Sequence, residues 1–278
     1  MNTRCFSGER EVAGVDPRNR GLAYGDGVFE TMRVHRGGVP LWPRHLARLR
    51  EGALRLGLPL PPVEFVEARI ADAIDGCDAG VLKLLLTRGE GGRGYAPPRD
   101  AQPASLLSLH PVPASALSGM RLLWCDTRLA VQPALAGIKH CNRLEQVLGR
   151  AEVERAGCDE GLMRDMGGAP ICATAANLLV LRDGRWMTPR VDACGVAGVL
   201  RGWLLDQGLV ALAEPSLADV ESANALALCN AVRGILPVVS LGARGWAPDP
   251  ALVELQERLA MAYPMFSEAR FPDADMDA

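Results

Sequence analysis

Gly137-Ile138-Lys139-His140-Cys141-Asn142-Arg143-Leu144-Glu145-Gln146-Val147-Leu148 occupies the middle of the chain, and the reading of everything else turns on it. Of 30 basic residues only two, Lys83 and Lys139, are lysines. Lys139 opens a helical pattern in which Leu144, Val147, Leu148 and Ala151 recur at i, i+3, i+4 and i+7. That spacing puts them on one face of a helix that packs by it, and Gly157 ends the helix. A lysine beside Gly137, at the entry to such an element, has two readings. Most lysines are solvated surface residues. A few have a lowered pKa and act as amine nucleophiles that join to a carbonyl as a Schiff base.

Composition narrows the choice. The chain of 278 residues is 49% hydrophobic, enough for one large domain or two of ordinary size. A net charge of -3 gives no reason to expect nucleic acid or an anionic membrane as partner, so any anion must be held by a local site. Met1-Asn2-Thr3-Arg4-Cys5 has no apolar core segment of a signal peptide, and no apolar run reaches the roughly 20 residues that span a bilayer. The expectation is a cytoplasmic protein acting on a small molecule. None of the eight cysteines forms a C-x-x-C pair and the four histidines do not cluster with them, so no metal site is expected. The cysteines read as small buried hydrophobes in a reducing compartment.

Taken in order, Gly25-Asp26-Gly27 turns into Val28–Val34, which alternates like a strand, and Arg36-Gly37-Gly38 predicts a hairpin into Val39-Pro40-Leu41. A helical period follows from Pro43 to Leu56, with Leu46, Leu49, Ala53 and Leu56 on one face, and a second from Pro62 to Ile74. Val81–Thr87 is a strand on which Lys83 reads as an outward-facing residue. Arg88-Gly89-Glu90-Gly91-Gly92-Arg93-Gly94-Tyr95 is glycine-rich, but without a Gly-Lys-Ser/Thr ending it is no Walker A loop. It is either a polar wall that admits a carboxylate or a flexible connection. Strands follow at Ala104–His110 and Met120–Thr127, and Pro111–Ser115 between them is the candidate domain linker.

Beyond the central helix, closely spaced strands at Gly161–Arg164, Ala169–Cys172, Leu178–Leu181 and Arg185–Thr188, the last pair joined by Asp183-Gly184, imply a compact sheet-rich domain. Cys194-Gly195-Val196-Ala197-Gly198-Val199 leads small residues into a helix, whose free N–H groups suit a phosphate. Two more strands, Leu209–Ala213 and Ala225–Leu228, are joined through a helix near Ser216–Ser222, and Cys229-Asn230-Ala231 ends the second in a polar loop. Pro250–Ala262 is a last helix, and the acidic tail Asp273–Ala278 is expected to be disordered.

The order of these parts resembles the fold-type IV pyridoxal-phosphate enzymes, which include branched-chain and D-amino acid aminotransferases. The residues that carry it are the Gly-Asp-Gly strand, Arg48 within His45-Leu46-Ala47-Arg48-Leu49, Lys139 ahead of Asn142-Arg143-Leu144-Glu145, Ala175-Ala176-Asn177-Leu178, and Gly195–Arg201. A narrower resemblance, to the 4-amino-4-deoxychorismate lyases, rests on Gly91–Tyr95 and Leu135–Leu148. It implies an α+β chain in two domains, a small α/β domain over 1–112 and a larger barrel-like one over 113–278, enclosing pyridoxal 5'-phosphate between them, usually as a homodimer. It implies that Lys139 joins covalently to the cofactor, that Arg48, the backbone of Val196 and Ala197, and Asn230 and Ala231 hold its phosphate, and that Arg93, Tyr95 and Arg143 receive substrate carboxylates. The implied activity is release of pyruvate and 4-aminobenzoate, a step in folate biosynthesis, with branched-chain or D-amino acid transamination as the alternative.

One position departs from the family pattern. Counting back from Asn177, Cys172 stands where the family places a glutamate against the pyridine nitrogen, and no Asp or Glu lies between Asp165 and Asp183. An ordinary thiol, of pKa about 8.5, holds a ring proton poorly. That weakens transamination, which leans on a protonated ring, more than it weakens cofactor binding.

Overall fold

The computed structural model describes residues 3–114 and 118–269. Ser115 of the expected linker and the acidic tail lie outside them. The contacts divide the chain into two compact units, Met1–Val112 with Ile138–Arg143, and Pro113–Gly137 with Leu144–Ala278.

In the first unit, strands β1 (Thr3–Ser7) and β2 (Arg10–Val12) precede helix α1 (Arg20–Tyr24), strand β3 (Gly27–His35), helices α2 (Trp42–Leu56) and α3 (Val63–Ile74), and strands β4 (Ala79–Thr87) and β5 (Ala104–His110). The sheet is antiparallel throughout, in the order β2-β1-β5-β4-β3. Along β3 the side chains alternate as a one-sided strand must: Val28, Glu30, Met32 and Val34 are buried while Phe29, Thr31, Arg33 and His35 are not. Val28, Met32 and Val34 share a core with Leu49 and Ala53 of α2, Val66 and Ile70 of α3, and Leu82 and Leu84 of β4. The expected hairpin does not form. Arg36 and Gly37 turn the chain with positive φ, the return after them makes the isolated bridge His35↔Gly38, and Pro40 leads into α2, so the strand partner of β3 is β4, from Gly27↔Thr87 to His35↔Ala79.

Ile138–Arg143 runs as an extended segment beside β3. The Phe29 N–H donates to the Lys139 carbonyl and the Cys141 N–H to that of Gly27, both at 2.9 Å. Ile138 enters the core against Gly52, where an added Cβ would stand 3.0 Å from its Cγ2. Lys139 therefore sits on a sheet edge of the first unit, not at the head of a helix.

The second unit holds β6 (Met120–Trp124), α4 (Leu144–Ala156), β7 (Glu160–Arg164), β8 (Pro170–Ala173), β9 (Asn177–Arg182), β10 (Arg185–Pro189), α5 (Val199–Asp206), β11 (Ala211–Ala213), α6 (Leu217–Glu221), β12 (Ala225–Asn230), β13 (Gly234–Leu241), β14 (Arg244–Gly245) and α7 (Pro250–Ala262). Strands run β9-β12-β13-β6-β7-β8, and the pairing of Cys172 on β8 with Asn177 on β9 closes them into a barrel. Closure removes the free edges that such a sheet would expose. Leu122, Leu162, Leu178, Val180, Leu226, Leu228 and Leu236 pack in one core of this unit. The strand β13 escaped the sequence reading because Gly234 and Pro237 read as breakers; Pro237 is tolerated opposite Ala227. Two helix starts are capped: Asp249 accepts from the Ala251 N–H at 2.8 Å with Pro250 at the start of α7, and Ser216 and Asp219 form a reciprocal capping box.

Helix α4 overturns the opening expectation. Leu144, Val147 and Leu148 are 76%, 59% and 57% exposed, and the helix buries Gly149 and Val153 instead. Gly149 faces the Cys125 thiol at a distance where a Cβ would lie 3.3 Å from it. The backbone thus approaches through the smallest residue on the helix, which a search for apolar periodicity cannot see. Among the described residues no helix is long and apolar enough to cross a membrane.

Candidate active site

Three residues of the first unit form a buried charged cluster. Glu30 points to the core side of β3, and His45 and Arg48, three apart on α2, share one helical face. The Glu30 carboxylate accepts from Arg48 Nε at 2.8 Å, from the second Arg48 nitrogen, and from His45 Nδ1 at 2.6 Å. Glu30 and His45 are 1% and 0% exposed. Burial alone would raise the Glu30 carboxyl; the Arg48 charge and the hydrogen bonds from Arg48 and His45 prevail and hold it at about 2. Burial lowers the His45 pKa against the opposing pull of Glu30. His45 Nε2 is buried without a hydrogen-bond partner, so the neutral ring carries its proton on Nδ1, toward Glu30.

Lys139 lies in the same unit. Its Nζ stands 4.3 Å from the Phe29 ring centroid. Burial brings the amine down from 10.5 to about 8, the charges of Arg48, Arg143 and Lys83 push the same way, and Glu30 opposes them. The Arg143 side chain folds back, donating to the carbonyls of His140 and Ile138, each at 2.8 Å, and so braces the lysine's own segment. Arg93 and Tyr95 lie on the exposed side of the glycine-rich loop. Tyr95 is 84% exposed and meets the Tyr24 ring edge-on at 5.4 Å. Arg20 organises that loop from below, donating to the carbonyls of Gly94, Tyr95 and Ala96 and, through Nε, to Asp26. Lys83 is exposed on β4, as expected of an outward-facing strand residue.

In the second unit the remaining candidates gather around residues 175–177. Gly137 and Val196 form a parallel bridge that uses the Ala197 N–H, donated to Gly137 at 3.0 Å, and leaves the Val196 N–H out of the ladder. Asn177 Nδ2 donates to the Val196 carbonyl at 2.9 Å, and a Cβ on Gly198 would fall 1.9 Å from Asn177 Oδ1. Asn230 Oδ1 accepts the N–H groups of Val232 and Arg233, its amide reaches the Ala175 carbonyl at 3.4 Å, and Ala231 is buried. Cys172 is buried on β8 in an apolar cluster with Met163, Ile171, Val191 and Cys194.

The sequence reading missed Glu30, His45 and Asn177 as members of these groups. A signal existed for the first two: Glu30 falls on the apolar phase of its strand, where a charge requires a partner, and His45 stands three residues before Arg48. The donor set suits a cofactor that carries an aldehyde and an anionic arm. An amine of pKa near 8 is partly unprotonated at neutral pH and can attack the one. A guanidinium fixed in orientation can receive the other.

The profile of the aminotransferase class IV family matches residues 27–241. The chain belongs to the aminotransferase class IV family. Aminodeoxychorismate lyase of Vibrio harveyi is 33% identical over 250 residues, covering 87% of this chain and 92% of that protein. The crystal structure of 4-amino-4-deoxychorismate lyase from Pseudomonas aeruginosa superposes with a TM-score of 0.86 at 43% identity, covering 92% of this chain and 98% of that one. D-alanine aminotransferase of Listeria monocytogenes is more distant, 25% identical over 84% of each chain. The α+β fold with its closed barrel is the fold-type IV architecture of this class IV family.

Proposed function

We propose that the chain is a pyridoxal-phosphate-dependent 4-amino-4-deoxychorismate lyase, releasing pyruvate and leaving 4-aminobenzoate for folate biosynthesis. The observation that carries this reading is the 43% identity, over 92% of the chain, to a lyase of that name. Pyridoxal phosphate, when bound, supplies an aldehyde for the substrate amine and an electron sink for the bond changes that follow. Lys139 is the residue that would hold the aldehyde, and its amine would serve as general base and acid. An amine of pKa about 8 can take the ring proton that leaves on aromatisation and return one to the departing enolpyruvyl carbon. The carbon–oxygen bond to the enolpyruvyl group breaks, and no external acceptor or oxidant is needed.

Arg48 is the proposed phosphate ligand of the first unit. Val196, Ala197, Asn230 and Ala231 are those of the second, where Val196 and the first turn of α5 offer N–H groups, since that of Ala197 already bonds Gly137. Arg93, Tyr95 and Arg143 are proposed for the substrate carboxylates. Arg143 contributes through the segment it braces, and the exposed pair Arg93 and Tyr95 are suited to meet a ligand entering from solvent. Cys172 leaves this chain without a carboxylate at the family's pyridine position, which suits an elimination more than a transamination. The enzyme is taken to act in the cytoplasm as a homodimer, on a small molecule and on neither nucleic acid nor membrane.

The test is direct. Purified enzyme loaded with pyridoxal phosphate and given 4-amino-4-deoxychorismate should release pyruvate and 4-aminobenzoate in equal amounts with no keto acid added. Amino transfer from a branched-chain or D-amino acid to a keto acid, without pyruvate release from the chorismate, would establish the aminotransferase instead. Borohydride reduction followed by peptide mapping should fix the cofactor on Lys139. Sedimentation of the loaded enzyme reads the oligomer.

A further inference from the structure

We infer that Glu30 is the positioning residue of the anion site on the first unit: it holds the Arg48 guanidinium in one orientation, and His45 holds Glu30. The inference rests on the cofactor reading above and adds to it a residue that never touches the ligand.

The geometry is a chain of single dependencies. Arg48 reaches Glu30 with two nitrogens, the fork-on-fork arrangement that fixes a guanidinium in direction as well as distance. Glu30 cannot shift to follow a different partner, because β3 is paired along its length with β4 and because His45 Nδ1 occupies the same oxygen that Arg48 uses. His45 in turn is fully buried on α2, with Nε2 unpartnered. A neutral imidazole orients the carboxylate without cancelling its charge, so the one negative charge in the cluster is balanced by Arg48. The fork thereby fixes the direction of the Arg48 guanidinium, and His45 keeps the carboxylate from swinging toward the ligand. A carboxylate facing a phosphate directly would repel it; buried behind the arginine, it aims the arginine instead.

The experiment compares two ligands that differ only in the phosphate. Affinities of the cofactor-free chain for pyridoxal phosphate and for pyridoxal are measured by spectroscopic titration in wild type, Glu30→Gln, Arg48→Met and the double variant, with thermal unfolding as the folding control. In wild type, pyridoxal phosphate binds tighter than pyridoxal. Glu30→Gln should lose roughly tenfold or more in pyridoxal phosphate affinity while binding pyridoxal as wild type does, since a charge-assisted fork is lost but the amine pocket is kept. Adding Glu30→Gln to Arg48→Met should change neither affinity further, because residues acting through one another are non-additive. If Glu30→Gln alone does not fold, the double variant, which removes both charges, carries the comparison with Arg48→Met. Equal losses for both ligands, an undiminished phosphate preference in Glu30→Gln, or an additive loss in the double variant would each overturn the positioning role. A wild-type chain that does not prefer pyridoxal phosphate would overturn the cofactor reading itself, and this inference with it.

Discussion

At the scale of single residues, the decisive quantity is the charge on Lys139. Its amine is held near 8 by burial and by neighbouring cations, against 10.5 ordinarily. Covalent capture of pyridoxal by the cofactor-free chain, trapped with borohydride at Lys139, should therefore rise with pH through a midpoint near 8. A midpoint above 10 would mean that the amine is solvated as an ordinary lysine is. The same shift has a sign for stability. The unfolded chain binds this proton more tightly than the folded one between about 8 and 10.5, so the amine's contribution to stability rises with pH across that window. A second residue-scale expectation concerns Gly198, whose missing side chain lets Asn177 hold the Val196 carbonyl. Gly198→Ala should cost about 1–3 kcal/mol in urea unfolding through overpacking, although the backbone there has an ordinary negative φ. Lys139 drew notice in the sequence as a rare lysine in a mid-chain motif, whereas Arg48 was singled out only through the family resemblance. Glu30 was quoted as part of a strand and passed over, because one residue's polarity says nothing of what lies across from it.

Elements were read with uneven success, and the failures share a cause. Helices α2, α3, α6 and α7 show in breakers and period, which are local. The hairpin after β3 and the buried face of α4 were misread because both depend on distant partners. Strand β3 prefers the long apolar β4 to the three residues after its turn. Helix α4 docks by Gly149 and Val153, where close backbone approach outweighs the wider apolar stripe. The two faces of α4 give a clean prediction. Val153→Ala should destabilise the chain by about 2 kcal/mol by opening a cavity, whereas Leu148→Ala should stay within about 0.5 kcal/mol. Thermal denaturation of the two variants decides it, and a large loss at Leu148 would show that something covers that face.

For the whole molecule, the two units are not two contiguous stretches of chain. Ile138–Arg143 belongs by its contacts to the first unit, although it follows the start of the second. A fragment of residues 1–112 should thus be incomplete: β3 loses the hydrogen bonds at Gly27 and Phe29, and the core around Val28 and Gly52 loses Ile138. Such a fragment should show poorly dispersed amide NMR signals, and Ile138→Ala in the full chain should cost about 2–5 kcal/mol. A well-dispersed spectrum from the fragment would show that the return segment is dispensable. What the sequence determined by itself was the family, the rare lysine, the glycine-bounded loops and most helix limits, because those follow from residue type and short spacing. Tertiary structure decided the closure of β8 on β9, the docking side of α4 and the partnership of Glu30, His45 and Arg48. Each of these joins residues that the chain separates by loops, and only the folded backbone brings them within hydrogen-bonding or packing distance.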